Sequence, residues 1–260
     1  MILVTGAGGF IGRRVSALLS RQNVDVLAVD RYFSEPLPCQ TLTADLTDPH
    51  FVANLFRQYH FEAVVHLASL LKTASLQDPS DAMHINIGVS LRLLELAVQN
   101  GAWRFFYGSS ISVYGTKRFS EFGTISERTP ASPEDVYGDS KRFVEIAGES
   151  YRQQAGLQFV ALRISTVVGA GAHSKTSRWR SEIFEKLVSR HPATIDLPFL
   201  ADEILPLVHV DGVADVLWKL LVGIEISLTG VTTQEQIWLS GLPRGLIIPI
   251  SSDALIGFFE

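Results

Sequence analysis

The first twelve residues restrict the fold most. Ile2-Leu3-Val4 is a short apolar run, Thr5-Gly6-Ala7-Gly8-Gly9-Phe10-Ile11-Gly12 follows directly, and Ile11, Val15, Leu18 and Leu19 then recur at helical spacing. This predicts a strand, a glycine turn and a helix in immediate succession. Gly6, Gly9 and Gly12 are spaced G-x-x-G-x-x-G. The first glycine lets the chain turn sharply off the strand, the second lets backbone approach a pyrophosphate, and the third lets helix and strand pack closely. An anion at the start of that helix meets free N–H groups and the positive end of the helix dipole. Gly8, Phe10 and Ile11 complete the candidate cradle. Asp30 ends the next apolar run, where a carboxylate accepts hydrogen bonds from ribose hydroxyls and repels a 2′-phosphate. The expectation is a dinucleotide site preferring NAD to NADP, with Arg31 as a neighbour that softens the choice.

The rest of the chain continues the alternation. Apolar runs at 63–67, 105–107 and 159–162 are separated by helical patterns at 51–59, 83–99 and 137–155. Alternation of this kind means βαβ units, so the expected fold class is α/β: a Rossmann-like, doubly wound parallel sheet. After residue 165 the pattern becomes irregular, with helices expected near 179–190 and 211–222. The expected division is a dinucleotide domain over 1–165 and a small, shortened C-terminal substrate-binding subdomain over 166–260, interleaved with the first.

Composition excludes several roles. The 260 residues are 47% hydrophobic, enough for a sizeable core, and a net charge of −5 offers no basic face to nucleic acid. No apolar run approaches the length of a membrane span. The chain opens directly into its first strand without a secretory leader pattern, and its single cysteine, Cys39, has no internal partner. These features predict a cytoplasmic protein. No residue spacing suggests a metal site. His66, His84 and His209 sit in apolar contexts and read as packed or hydrogen-bonded histidines.

Tyr137-Gly138-Asp139-Ser140-Lys141 puts Tyr137 and Lys141 one turn apart on a helix face. An ammonium beside a phenol favours the phenolate, and a tyrosine so lowered can exchange a proton with a substrate hydroxyl. Ser109-Ser110-Ile111-Ser112-Val113-Tyr114-Gly115 follows a buried strand, and Glu127, Pro130 and Pro133 lead into Tyr137. Together with the glycine loop, these motifs resemble the extended short-chain dehydrogenase/reductases of the NAD-dependent epimerase/dehydratase group, over residues 1 to about 215. The resemblance implies that Tyr137 is the catalytic acid/base, that Lys141 holds the nicotinamide ribose and tunes Tyr137, and that Ser110 bonds the reacting oxygen. It also implies cofactor contacts from Asp45 and Leu46, from Leu67, Ala68 and Ser69, from Asn86, and from Ser109 and Ile164. His209-Val210-Asp211 matches a helix-start element of the group.

Some positions depart from the group's pattern. The acidic pair that dehydratases carry after the catalytic hydroxyl residue is Ile111-Ser112, so a dehydratase is not expected. The arginine that meets a nucleotide phosphate in many members is Leu205. The candidates to touch substrate are Lys72, Thr166, Arg178 and Arg180, the last two in a basic stretch that starts at His173 and suits a carboxylate or phosphate equally. The expected activity is NAD-dependent oxidoreduction of a sugar, sugar acid or related polyhydroxy compound. A nucleotide-sugar epimerase with transient hydride transfer is the alternative. A non-catalytic NAD-binding sensor, or a truncated degenerate enzyme, is the alternative from another class. The resemblance further implies a homodimer through the helices at 83–99 and 137–155, with Leu91, Leu94, Val98, Phe143, Ala147 and Tyr151 as candidate surface. Little chain follows Asp211, and its stretch from Trp238 to Glu260 matches no element of the group.

Overall fold

Six short strands stack in parallel, most of them built on an apolar run: β1 (Ile2–Thr5), β2 (Val26–Asp30), β3 (Gln40–Thr43), β4 (Ala63–His66), β5 (Arg104–Ser110) and β6 (Gln158–Ile164), with β3 the polar exception. Their order is β3-β2-β1-β4-β5-β6. The computed structural model describes residues 1–116, 125–126, 128–172, 178–189, 206–223 and 246–250, with 187–189 and 246–250 described by backbone alone. Two three-residue strands, β7 (Thr166–Val168) and β8 (Leu207–His209), pair with each other outside the main sheet. A last strand, β9 (Leu246–Ile250), runs parallel beside β6.

The sheet is covered on both faces, and this is why β1, β4 and β5 read as continuous apolar runs. One core joins Val4, Val15, Leu19, Val65, Phe106 and Leu162 with Val213 and Leu217 of the helix Val210–Val222. That late helix packs against the first helix, Phe10–Arg21, so the chain returns to the layer of the first helix after residue 209. The other core joins Leu3, Val29, Leu55, Leu94, Phe105, Val144 and Phe159. Leu94 is wholly buried there, so it offers no surface to a second chain; truncating such a leucine costs about 2–5 kcal/mol.

Helix ends follow local chemistry. Asp48 caps Pro49–Gln58 by accepting from the His50 and Phe51 N–H groups. Asp135 caps the long helix Val136–Ala155 by accepting from Gly138 N–H at 2.8 Å. Gly101 and Gly156 close the helices Ser90–Asn100 and Val136–Ala155 in the left-handed conformation, at φ +83° and +69°.

The structure differs from the periodicity in two places. The helix expected over 83–99 is preceded by short helices Lys72–Gln77 and Pro79–Met83 and interrupted by a π-helical turn, His84–Val89, before Ser90–Asn100. β3 is a polar, exposed edge strand with no apolar alternation to announce it. The strand order reverses between β1 and β4, and an open α/β sheet binds ligands at the carboxyl ends of strands flanking such a reversal.

Candidate active site

Three segments meet at this end of the sheet: the glycine loop after β1, residues 67–70 after β4, and the end of β5. The glycine loop fills the reversal point. Gly6 adopts φ +71°, and a Cβ there would lie 2.5 Å from Ala68 N. A Cβ on Gly8 would lie 2.0 Å from the Tyr32 carbonyl oxygen. Gly9 starts the helix without any side-chain cap, and the first turn carries no acidic residue. Backbone thus approaches backbone where side chains are excluded, and the helix start presents N–H groups to the space in front. Such a cradle fits a dinucleotide pyrophosphate.

Asp30 sits beside it at the end of β2. Its Oδ2 accepts from Gly8 N–H at 2.9 Å and its Oδ1 from Arg31 N–H at 2.6 Å. One carboxylate therefore ties the glycine loop to the turn beyond β2. Asp45 is exposed and closes a turn by accepting from the Thr47 N–H and hydroxyl, and the N–H bond holds its carboxyl below the ordinary range. Leu46 packs partly buried against the core.

After β4, Leu67 N–H reaches the Thr5 carbonyl at 3.0 Å. Asn86, on the π-turn and 1% exposed, holds the next residues of this loop in place. Its Oδ1 accepts from Leu70 N–H at 2.8 Å and the Ser69 hydroxyl at 3.1 Å, while its Nδ2 donates to Leu70 O and to Ser140 Oγ. The wider turn delivers a buried amide between the loop after β4 and the helix that carries Tyr137. His66 is buried with Nδ1 against Thr5 Oγ1 at 2.6 Å and Nε2 against Ser90 Oγ at 2.9 Å. Burial depresses its pKa to about 3, so it stays neutral.

Ser110, Tyr137 and Lys141 converge at the end of β5, at 7%, 9% and 3% exposure. Lys141 Nζ donates to the Gly108 carbonyl at 2.8 Å and lies 5.6 Å from the Tyr137 ring centre. Ser110 Oγ accepts from Ser112 N–H at 3.2 Å. Burial pushes the Tyr137 phenol up to about 12, against pulls downward from the Ser110 hydroxyl and the Arg180 charge. Burial likewise pushes Lys141 down to about 7, opposed by Glu145. The expected lowering of the tyrosine by the lysine is therefore not the dominant effect: for both groups the loss of water outweighs the neighbouring charges and hydrogen bonds.

Glu145, one turn beyond Lys141, belongs to no motif recognised in the sequence. It is 3% exposed and accepts from Ser109 Oγ at 2.7 Å, from Arg163 at 2.9 and 2.7 Å, and from Arg142 at 3.0 Å. Its i+4 spacing from Lys141 was the available signal. Ile164 is buried in the core beside Ser110, its register partner. Lys72 pairs with Asp135 at 2.8 Å and so holds the cap of the Tyr137 helix. Thr166, partly buried, donates its N–H to the Pro206 carbonyl at 3.3 Å. Arg178 is exposed, whereas Arg180 is partly buried and electrostatically coupled to Tyr137. His209 caps the helix Val210–Val222 through its Nδ1. Glu127, residues 173–177, Leu205 and most of 238–260 lie outside the described residues.

Residues 2–226 match the model of the NAD dependent epimerase/dehydratase family. The chain belongs to this family. Among its relatives, UDP-glucose 4-epimerase of Corynebacterium glutamicum is 29% identical over 175 residues, covering 65% of this chain and 52% of that protein. UDP-glucuronate 4-epimerase 3 of Arabidopsis thaliana is 31% identical over 184 residues, covering 65% and 42%. The chain thus spans about half the length of the curated relatives it matches. Among solved structures, the Thermus thermophilus UDP-glucose 4-epimerase in complex with NAD superposes with a TM-score of 0.71 at 26% identity, covering 84% of this chain and 73% of that one. A GalE-like L-threonine dehydrogenase from Cupriavidus necator gives 0.74 at 25%, covering 85% and 72%. Family membership and the Rossmann-like parallel sheet agree with the expectation from sequence. Among the described residues, no helix is long and apolar enough to cross a membrane.

Proposed function

We propose that this chain binds NAD and oxidises or epimerises a hydroxyl-bearing carbon of a sugar, sugar acid or related polyhydroxy compound. The observation that carries the reading is the convergence of Tyr137, Ser110 and Lys141, all nearly buried, beside the glycine cradle. A sensor that only binds a dinucleotide has no need of that group. Gly6, Gly8, Gly9 and the N–H groups of Phe10, Ile11 and Gly12 would hold the pyrophosphate, Asp30 the adenosine ribose, and Lys141 the nicotinamide ribose. Bound NAD would supply a hydride acceptor and a positive charge near the phenol.

This chain's own residues then do three things. Tyr137 Oη takes the substrate hydroxyl proton when the product is a carbonyl, and returns it in the reverse direction. Ser110, already coupled to the phenol, donates to the same oxygen as it becomes a carbonyl. Lys141, fixed on the Gly108 carbonyl and 5.6 Å from the Tyr137 ring centre, opposes the cost of ionising the phenol when it carries its proton. Ile111 and Ser112 offer no acid or base for eliminating water, which supports a dehydrogenase or epimerase over a dehydratase.

Following NADH absorbance against a panel of sugars, sugar acids and nucleotide sugars tests the proposal. Net oxidation accumulates NADH, whereas an epimerase converts its substrate with none. NAD binding without any conversion across the panel would overturn the catalytic reading. The similarity to UDP-sugar 4-epimerases supports the nucleotide-sugar epimerase as the second reading. A homodimer belongs to the same proposal. Phe143 and Ile146 are 50% and 53% exposed on the helix that carries Tyr137, while Leu91, Val98 and Tyr151 pack partly buried on the core. Light scattering reporting a monomer removes it.

A further inference from the structure

We propose that Arg180 is the specificity-determining residue of this site and receives a carboxylate carried by the same molecule whose hydroxyl meets Tyr137. The proposal deepens the functional reading above and rests on it.

Three observations converge on this one side chain. Its backbone is pinned: the Arg180 carbonyl accepts from Gly169 N–H at 2.9 Å, and the next residue, Ser181, accepts from Gly171 N–H through its hydroxyl at 2.7 Å. Ser181 is itself buried and also bonded to Glu185. The start of the helix Trp179–Ser189 is thus held against the loop after β7, which fixes the backbone from which the Arg180 side chain extends. Secondly, Arg180 Nε is buried and has no hydrogen-bond partner among the described residues. Among the described residues Arg180 has no carboxylate partner, whereas Arg142 and Arg163 share Glu145 and Arg152 is paired with Glu149. A donor buried without an acceptor is costly to keep. Thirdly, Arg180 and Tyr137 are near enough to bias each other's ionisation.

Together these describe a guanidinium near enough to the Tyr137 phenol to act on it, partly stripped of water and without a carboxylate partner among the described residues. A ligand that puts a hydroxyl at Tyr137 and an oxyanion at Arg180 satisfies both groups at once. A planar guanidinium matches a carboxylate with two parallel hydrogen bonds, so a carboxylate on the reacting unit itself is the partner this group suits. An acidic sugar or a hydroxy acid has this form. Arg178, two residues earlier, faces solvent and has none of these properties.

The test uses the full chain with Tyr137→Phe, saturated with NAD, so that binding is read without turnover. Calorimetry compares a hexuronate with its parent hexose, and UDP-glucuronate with UDP-glucose. The proposal expects the acid to bind about tenfold or more tighter than its neutral partner in at least one pair. Arg180→Met should abolish that preference, Arg180→Lys should restore part of it by returning charge without the fork, and Arg178→Met should leave it unchanged. Melting temperature and NAD affinity report that each variant is folded; if Arg180→Met is not, the reduced preference of Arg180→Lys decides. Equal affinity for acid and neutral ligands in the parent overturns the proposal. So does an equal loss for UDP-glucose and UDP-glucuronate on replacing Arg180, since that assigns the residue to the diphosphate. Retained turnover in the Tyr137→Phe parent would instead remove the catalytic reading and leave the binding result standing.

Discussion

The glycine loop proposed as the dinucleotide cradle and the corner proposed as catalytic lie at the same end of the sheet, yet they are held in place differently. At the cradle, backbone sets position: Gly6, Gly8 and Gly12 are packed so closely that a Cβ on each would fall within 2.5 Å of backbone from Ala68, Tyr32 and Gly6. At the end of β5, side chains set position. Ser109, Arg142 and Arg163 converge on Glu145, Asn86 reaches Ser140, and Lys141 reaches Gly108. A surface of backbone amides binds an anion without titrating. A cluster of buried side chains can move a proton, and its satisfaction depends on every member. Substitutions in the two regions should therefore fail differently.

The largest expected effect is at the corner. Tyr137→Phe removes the proposed proton acceptor and keeps the ring, so kcat should fall by about a thousandfold, in the range of general acid–base contributions. NAD affinity, measured by fluorescence titration, should stay within about twofold. A parallel loss of NAD binding would mean that the two regions are not separable.

Glu145→Gln comes next. It keeps the shape but leaves Arg163, whose side chain is 3% exposed, facing a neutral amide in the interior. Breaking a buried pair from one side costs about 3–5 kcal/mol, and urea unfolding should report a loss of that order. It should also lower the pKa of Lys141, since Glu145 is the group that opposes its depression by burial. A variant as stable as the parent would show that the corner does not depend on this carboxylate.

The two regions also differ in how much of them could be read from the chain. The cradle was legible because its requirement is local: three glycines at fixed spacing between an apolar run and a helical stripe. Tyr137 and Lys141 were legible for the same reason, being one turn apart. Their protonation was not, because burial comes from elements far away in the sequence and outweighs the pairing that spacing suggests. Asn86 was found through resemblance, but the π-turn that presents it breaks the 3.6-residue period and cannot be seen as periodicity. Arg180 and Arg178 looked equivalent in a basic stretch. Only the start of the helix at Trp179 and the bond from Gly169 turn one inward and leave the other in water.

The cradle does contain one buried side-chain chain, Thr5–His66–Ser90, and it makes a pH test possible. His66 falls from an ordinary 6.5 to about 3 in the folded protein. As pH drops from 6.5 toward 3, the unfolded chain takes up a proton that the folded chain refuses, so stability present above 6.5 is lost across that window. The loss is about 5 kcal/mol as an order of magnitude. His66→Gln should flatten this slope in urea midpoints measured against pH, and an unchanged slope would assign the acid sensitivity elsewhere.

Gly8→Ala probes the backbone side directly. The added methyl meets the Tyr32 carbonyl and crowds the Asp30 carboxylate that ties the loop down. NAD affinity should fall about tenfold, equivalent to about 1.4 kcal/mol, with kcat at saturating NAD nearly kept. A loss confined to kcat would contradict the assignment of this loop to the cofactor.

The smallest effect belongs to the link between the two regions. Lys72 comes directly after the segment that lines the cradle, and its ion pair with Asp135 at 2.8 Å reaches the cap of the helix that carries Tyr137. The lysine side chain is 52% exposed, so the pair is largely solvated and is worth about 0–1 kcal/mol. Asp135 still accepts from Gly138 N–H when the lysine is gone, so the helix keeps its start. Lys72→Met should therefore cost no more than about 1 kcal/mol in stability and change kcat by about twofold or less. Asp135→Ala, which removes the cap as well, should cost about 1 kcal/mol more. If Lys72→Met instead lowers kcat as much as Asp135→Ala does, the ion pair itself positions the helix, and the catalytic corner is less independent of the cradle than their separate construction implies.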